Sequence, residues 1–147
     1  MKKIITLIMI LLLACGCSSS NTEEPLSTGD KYLKVFTDNS SKNIKDIASA
    51  LKDVNTDINM DTVEVFPGYL AGFSDQINDF NEGYMISPLI GSIPFVAYVF
   101  KTDDKESLKN EITEKMDMRW NICTQADSFV IADTDDLVFF MMYSTAE

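Results

Sequence analysis

The 18 residues 83–100, GYMISPLIGSIPFVAYVF, contain no charged side chain, and how they are read decides the fold. At that length the stretch touches the lower limit for a membrane-spanning helix. Pro88, Pro94, Gly83, Gly91, Ser87 and Ser92 interrupt it, and each proline removes a backbone donor and kinks a helix that lipid could not otherwise satisfy. The stretch therefore reads as strand, loop, strand: 84–87, a loop through 88–92, and 93–100. Residues 95–100, FVAYVF, are apolar at every position. A strand of that kind belongs in the middle of a sheet that is covered on both faces.

Downstream, Asp103 and Glu106 stand in capping-box spacing, and Leu108, Ile112, Met116, Trp120 and Cys123 follow at helical intervals. Glu111 and Lys115 form an i, i+4 pair in the favourable order. Residues 128–132 and 137–143 (LVFFMMY) flank Asp133-Thr134-Asp135-Asp136, so the chain closes with a β-hairpin. The second arm is again apolar on both faces. Either helices cover both faces of the sheet, or a partner shares one.

Upstream, Ile44, Ile47, Ala48, Leu51 and Val54 mark an amphipathic helix of about three turns, with Ser41 or Asn43 as its cap. Residues 62–66 read as a short strand. Tyr69, Leu70, Phe73, Ile77 and Phe80 have helical spacing behind Pro67, Gly68 and Gly72, which predicts a turn and then a helix centred on 75–80. Residues 32–36 read either as a strand or as an arm of the preceding segment. The predicted class is α+β: a mainly antiparallel sheet, a C-terminal strand-helix-hairpin unit, and two earlier helices packed on it.

The N-terminal segment has a different character. Lys2 and Lys3 precede an apolar run over 4–14 that is too short to span a bilayer and ends in small residues and cysteine, which is an export signal. Leu12-Leu13-Ala14-Cys15 resembles the lipobox of bacterial lipoproteins, in which a signal peptidase cuts before a cysteine that carries diacylglycerol. This makes Cys15 the expected lipidation site; a frame ending at Cys17 fits less well. The domains expected are a signal peptide over 1–14, a lipidated cysteine with a flexible polar tether over 15–30, and one folded domain over 31–147.

Charge and composition exclude several functions. The chain carries 12 Lys and Arg against 23 Asp and Glu, a formal charge of -11. Removing 1–14 takes two lysines and no acid, leaving 10 cationic and 23 anionic side chains and a charge of -13. Nucleic-acid binding and electrostatic adsorption to anionic lipid both need clustered cations. The chain has no histidine, so Ser-His and Cys-His nucleophile pairs and histidine metal ligands are absent. Gly-rich phosphate loops and paired CxxC motifs are absent as well.

The runs PLIGSIPF at 88–95 and DMRWNICTQAD at 117–127 resemble small lipoproteins of Gram-positive bacteria that carry a domain of unknown function. The resemblance implies a lipoprotein, extends over most of 60–145, and brings no activity or catalytic residues with it.

The candidate binding residues are Leu89 and Ile90, in the uncharged loop, with Arg119 and Trp120, the single arginine and the single tryptophan of the chain. Charge balance makes an intramolecular salt bridge the preferred role of Arg119. Asp133, Asp135 and Asp136 invite a calcium reading, but an EF-hand loop begun at Asp133 would need glycine at its sixth place and glutamate at its twelfth, where Val138 and Ser144 stand. No metal or cofactor is expected. Cys123, on the apolar stripe of its helix, reads as a buried small hydrophobe. The leading expectation is a lipid-anchored interaction or ligand-binding module outside the cytoplasmic membrane, tied to it through diacylglyceryl cysteine and able to take a protein partner. The rival is a small extracytoplasmic hydrolase using a carboxylate pair, although no spacing singles one pair out.

Overall fold

A computed structural model describes residues 25–145; the expected signal peptide, Cys15 and Cys17 lie outside the described residues. The fold is α+β. Three helices, α1 (Thr28–Asn39), α2 (Ile44–Lys52) and α3 (Lys105–Lys115), accompany five strands: β1 (Met60–Val65), β2 (Glu82–Pro88), β3 (Val96–Lys101), β4 (Ser128–Thr134) and β5 (Leu137–Tyr143). The strands form one sheet in the order β1-β2-β3-β5-β4, and every neighbouring pair is antiparallel. Strand β3, uncharged up to its last residue Lys101, takes the centre, as its two-faced apolar sequence requires.

Strand alternation divides the core into two layers. Ala97 and Val99 of β3, with Leu137, Phe139, Met141 and Tyr143 of β5, face Tyr32 and Phe36 of α1 and Ile44, Ile47, Ala48 and Leu51 of α2. Val96, Tyr98 and Phe100, with Val138, Phe140 and Met142, face Leu108 and Ile112 of α3 and Phe73, Ile77 and Phe80. Both faces of the sheet are thus covered by the chain itself.

Four expectations are corrected. First, residues 32–36 belong to α1, a full helix that starts inside the stretch expected to be tether. Ser27 accepts from the Asp30 N–H at 3.1 Å and Asp30 accepts from the Ser27 N–H at 3.3 Å, a capping box that fixes the helix start ahead of residue 31. Tyr32 and Phe36, one turn apart, then reach the core.

Second, no helix forms over 75–80. The segment 66–81 is an irregular chain held by β-bridges, Gly68 to Ile77 and Phe73 to Met116. The glycines win over the helical spacing: Gly72 sits at φ +91°, in the left-handed region, where a Cβ would lie 2.7 Å from Met142 Cε.

Third, α3 stops at Lys115. The carbonyl of Lys115 accepts from Ser74 N at 2.8 Å, and Asp117 N donates to Gly72 O at 2.8 Å, so the backbone of 72–74 takes up groups that a longer helix would use itself. Trp120 and Cys123 therefore lie beyond the helix, in a turn-rich segment. Its N-cap is Asp104, which accepts from Ser107 N at 2.9 Å, while Asp103 accepts from Asn81 Nδ2 at 2.9 Å.

Fourth, Cys123 is an exposed free thiol, because the apolar stripe that would have buried it ends with the helix. The closing hairpin follows expectation, with Asp135 at φ 45° in the two-residue loop between Thr134 and Leu137.

Candidate functional site

Two loops meet at one end of the sheet. The first, 88–95, joins β2 to β3; the second, 117–127, joins α3 to β4. Asn121 Nδ2 donates to Gly91 O at 2.6 Å and Thr124 Oγ1 donates to Ser92 O at 3.0 Å, so side chains of one loop hold the backbone of the other. Leu89 N donates to Asn59 O at 2.9 Å and ties the first loop to the start of β1. At its base the second loop is closed by Ala126 N to Met118 O, 3.0 Å, and Asp127 N to Tyr143 O, 3.1 Å.

Three aliphatic side chains stand at this end with nothing over them. Leu89 is 67% exposed, Ile90 62% and Ile122 100%. Ile90 precedes Gly91 and Ile122 follows Asn121, the two residues that this bond joins, so both lie beside the junction of the two loops. Withdrawing one such side chain from water is worth about 1.5–3 kcal/mol, so the folded chain leaves that much unclaimed at each tip. Isolated exposed apolar residues are ordinary, but three at the tips of two interlocked loops make this end the candidate contact surface.

The expected polar and aromatic anchors are distributed unequally around these tips. Trp120 is half-buried against the α3-side core and lines a recess of ≈ 170 Å³ with Ala71, Met85, Gly91, Ile93 and Asn121. Its role is to seat the second loop. Arg119 is exposed and lines a shallow hollow of ≈ 310 Å³ with Asn121, Ile122, Cys123 and Gln125. Among the described residues it forms no ion pair, so the intramolecular salt bridge that charge balance favours is not made. Its backbone N donates to Asp117 Oδ1 at 2.9 Å. Reading Cys123 and Trp120 as one helical stripe concealed Ile122, whose exposure becomes legible only once the helix is known to end at Lys115.

The acids gather elsewhere. Asp133 accepts from Lys109 and Lys105 at 2.8 and 3.0 Å, and Asp136 pairs with Lys101 at 3.0 Å. The lysine bonds hold the Asp133 carboxyl below the usual range, Lys109 contributing most. Lysines thus pair with Asp133 and Asp136, two of the three acids that the calcium reading would need, and among the described residues no group of three His, Cys, Asp or Glu is placed to hold a metal. Glu111 is nearly buried under segment 66–81. Burial pushes its carboxyl up, but Lys115 at 2.7 Å and the N–H groups of Asn78 and Asp79, each at 3.0 Å, outweigh that and leave it lowered.

Two further clefts lie on the α2 side of Leu89. One, of ≈ 420 Å³, is lined by Lys52, Asp53, Ile58, Met60 and Leu89 among others; the second, of ≈ 280 Å³, by Thr28, Asp57, Ile93, Pro94, Phe95 and Tyr143 among others. None of the four clefts is lined by two carboxylates. Among the described residues the buried Tyr32 hydroxyl finds no partner, and burial pushes its pKa up to about 12. Its ring packs on Phe95, 5.1 Å between centroids, so the hydroxyl belongs to the core rather than to any cleft lining.

No family model matches the chain, and no curated protein or solved structure is similar to it. Among the described residues no helix is long and apolar enough to cross a membrane.

Proposed function

We propose that the protein is a lipid-anchored module on the outer face of a bacterial cytoplasmic membrane, and that it acts by binding rather than by catalysis. One observation carries the binding reading: Leu89, Ile90 and Ile122 stand exposed on two loops that hydrogen bonds lock together. The lock matters because a contact surface held in one shape loses little entropy on binding. The anchoring rests on the sequence: Lys2 and Lys3, a short apolar run, and Leu12-Leu13-Ala14-Cys15, as in the small lipoproteins that the two loop sequences resemble. A carboxylate-pair hydrolase would place two acids about 5 to 10 Å apart in a cleft, and none of the four clefts described above is lined by two acids.

Metabolic labelling of the bacterium with a palmitate analogue tests the anchor. Wild type and Cys17→Ala are expected to take up label and Cys15→Ala to take up none. If Cys17→Ala alone abolishes labelling, Cys17 is the lipidated residue. If no form is labelled, the anchored reading falls.

A further inference from the structure

The exposed loop tips leave the sheet at the same end as the chain leading back to the N-terminus. Strand register places Met60, Pro88, Val96, Tyr143 and Ser128 together at that end. Thr28 shares a cleft with Pro94, Phe95 and Tyr143, and a Cβ on Gly29 would lie 2.7 Å from the Tyr143 hydroxyl. The first turn of α1, and with it Ser27 and the exposed Leu26, is therefore beside the loops and not at the far end of the molecule.

Chain length adds a constraint. Thirteen residues lead from Cys15 to Thr28. Even fully extended, a chain of that length reaches no more than about 45 Å, and a domain of this size is about 35 Å across, taking its radius of gyration as about 13 to 14 Å. A link whose full reach barely exceeds the width of the domain favours the end where it attaches as the one nearest the anchor.

Charge distribution points the same way. With 23 acids in the chain, 88–95 and 118–126 contain none, and their one charge is Arg119. The acids that bound the second loop are engaged with backbone at its base: Asp117 with Arg119 N, and Asp127 with Thr145 N at 2.9 Å. Asp53 and Asp57 lie to the α2 side, Asp53 in the same cleft as Leu89, and Asp61 pairs across from Ser87, so the acid-free surface at this end is that of the two loops themselves. The opposite end of the sheet carries Asp103, Asp104, Asp133, Asp135 and Asp136.

Resting on the lipid-anchored reading, we infer that this end of the sheet, with Leu89, Ile90 and Ile122 foremost, lies against the bilayer that holds the lipidated cysteine. The contact is apolar. Net negative charge opposes adsorption of the free domain, and the anchor overcomes that by holding the tips at high local concentration beside the lipid.

The test uses the full mature lipoprotein, purified in detergent and reconstituted into phosphatidylcholine vesicles. Cys17→Ser leaves Cys123, exposed beside Ile122, as the one thiol for an environment-sensitive fluorophore. The control is Glu106→Cys in a Cys17→Ser, Cys123→Ser background, labelled on the first turn of α3, at the opposite end, where the side chain is 79% exposed. Spin-labelled lipid is expected to quench the Cys123 probe several-fold more than the Glu106→Cys probe, and Ile90→Asp with Ile122→Asp to abolish the difference. Equal, weak quenching at both positions in a protein shown by mass spectrometry to carry lipid overturns the orientation and leaves the anchor standing. Absence of lipid on both Cys15 and Cys17 of the wild-type chain overturns both. Shielding of Cys123 in native membranes but not in protein-free vesicles also overturns it, and assigns the tips to a protein partner.

Discussion

Segments 66–81 and 88–95 are both irregular, both broken by proline and glycine, and both rich in apolar residues, yet their middles meet different fates. The first leaves Phe66 and Tyr69 exposed at its start but sinks Phe73, Ile77 and Phe80 into the core; the second buries Phe95 where it joins β3 but leaves Leu89 and Ile90 in water. The difference lies in what each backbone finds to bond with. Segment 66–81 lies on α3, where Glu111 accepts from Asn78 and Asp79, Lys115 Nζ donates to Gln76 O at 2.7 Å, and Tyr98 OH donates to Ala71 O at 2.7 Å. A loop can enter a core only if its polar groups are satisfied there, and α3 with Tyr98 supplies those partners. Beyond Pro88, which still pairs with Met60 of β1, segment 88–95 runs off the end of the sheet, where Asn121, Thr124 and Asn59 reach it. Irregular backbone alone therefore says nothing about whether a segment is scaffold or surface.

The largest effect is expected from Ile77→Ala. Ile77 is fully buried although it lies outside any helix or strand, so its loss should cost about 2–5 kcal/mol, as much as Leu51→Ala inside α2. Urea unfolding of both variants measures this; a cost at Ile77 well below that at Leu51 would mean that 66–81 is a loose flap. Gly72→Ala comes next, at about 1–3 kcal/mol, because the new Cβ meets Met142 and Val96 at a φ that alanine rarely adopts. A neutral result in the same assay would place Gly72 in ordinary backbone.

Glu111→Gln sharpens the comparison at a smaller scale, about 1 kcal/mol at neutral pH, since the amide still accepts from Asn78 and Asp79 while the charge opposite Lys115 is lost. The sign with pH follows from the lowered carboxyl of the folded state. Its contribution is complete above the unfolded value of about 4.3 and is lost as pH falls through the folded value, so variant and wild type should converge in acid. Unfolding curves that stay apart below that range would remove Glu111 from the clasp.

The smallest effect belongs to the other segment. Ile90→Asp should change unfolding stability by no more than about 0.5 kcal/mol, because the side chain gains nothing from the fold. A cooperative transition that disappears on this substitution would move Ile90 into the core and erase the contrast between the two segments.

The central strand, the closing hairpin and the amphipathic α2 were legible because their apolar pattern matches the period of the structure they form. The start of α1 was also written in the sequence, in Ser27 and Asp30, but a polar first turn beside a polar spacer hid it. Ile122 was missed because Trp120 and Cys123 continue the helical period of Leu108, Ile112 and Met116; nothing local marks Lys115 as the last helical residue. Of the residues singled out beforehand, Leu89 and Ile90 are at the exposed tip, Arg119 lies beside it, and Trp120 packs inward.

Sequence alone determined the α+β class, the central place of β3, the acidic charge and the want of histidine chemistry, because periodicity, composition and charge are properties of short windows. Tertiary structure decided where α3 ends, that 66–81 forms no helix, and that two loops 30 residues apart are joined by the Asn121 to Gly91 bond. The physical reason is common to all three. Each is settled by a backbone or amide group finding its hydrogen-bond partner in a distant segment, and the energy of such a bond exceeds the small local preferences that a sequence displays.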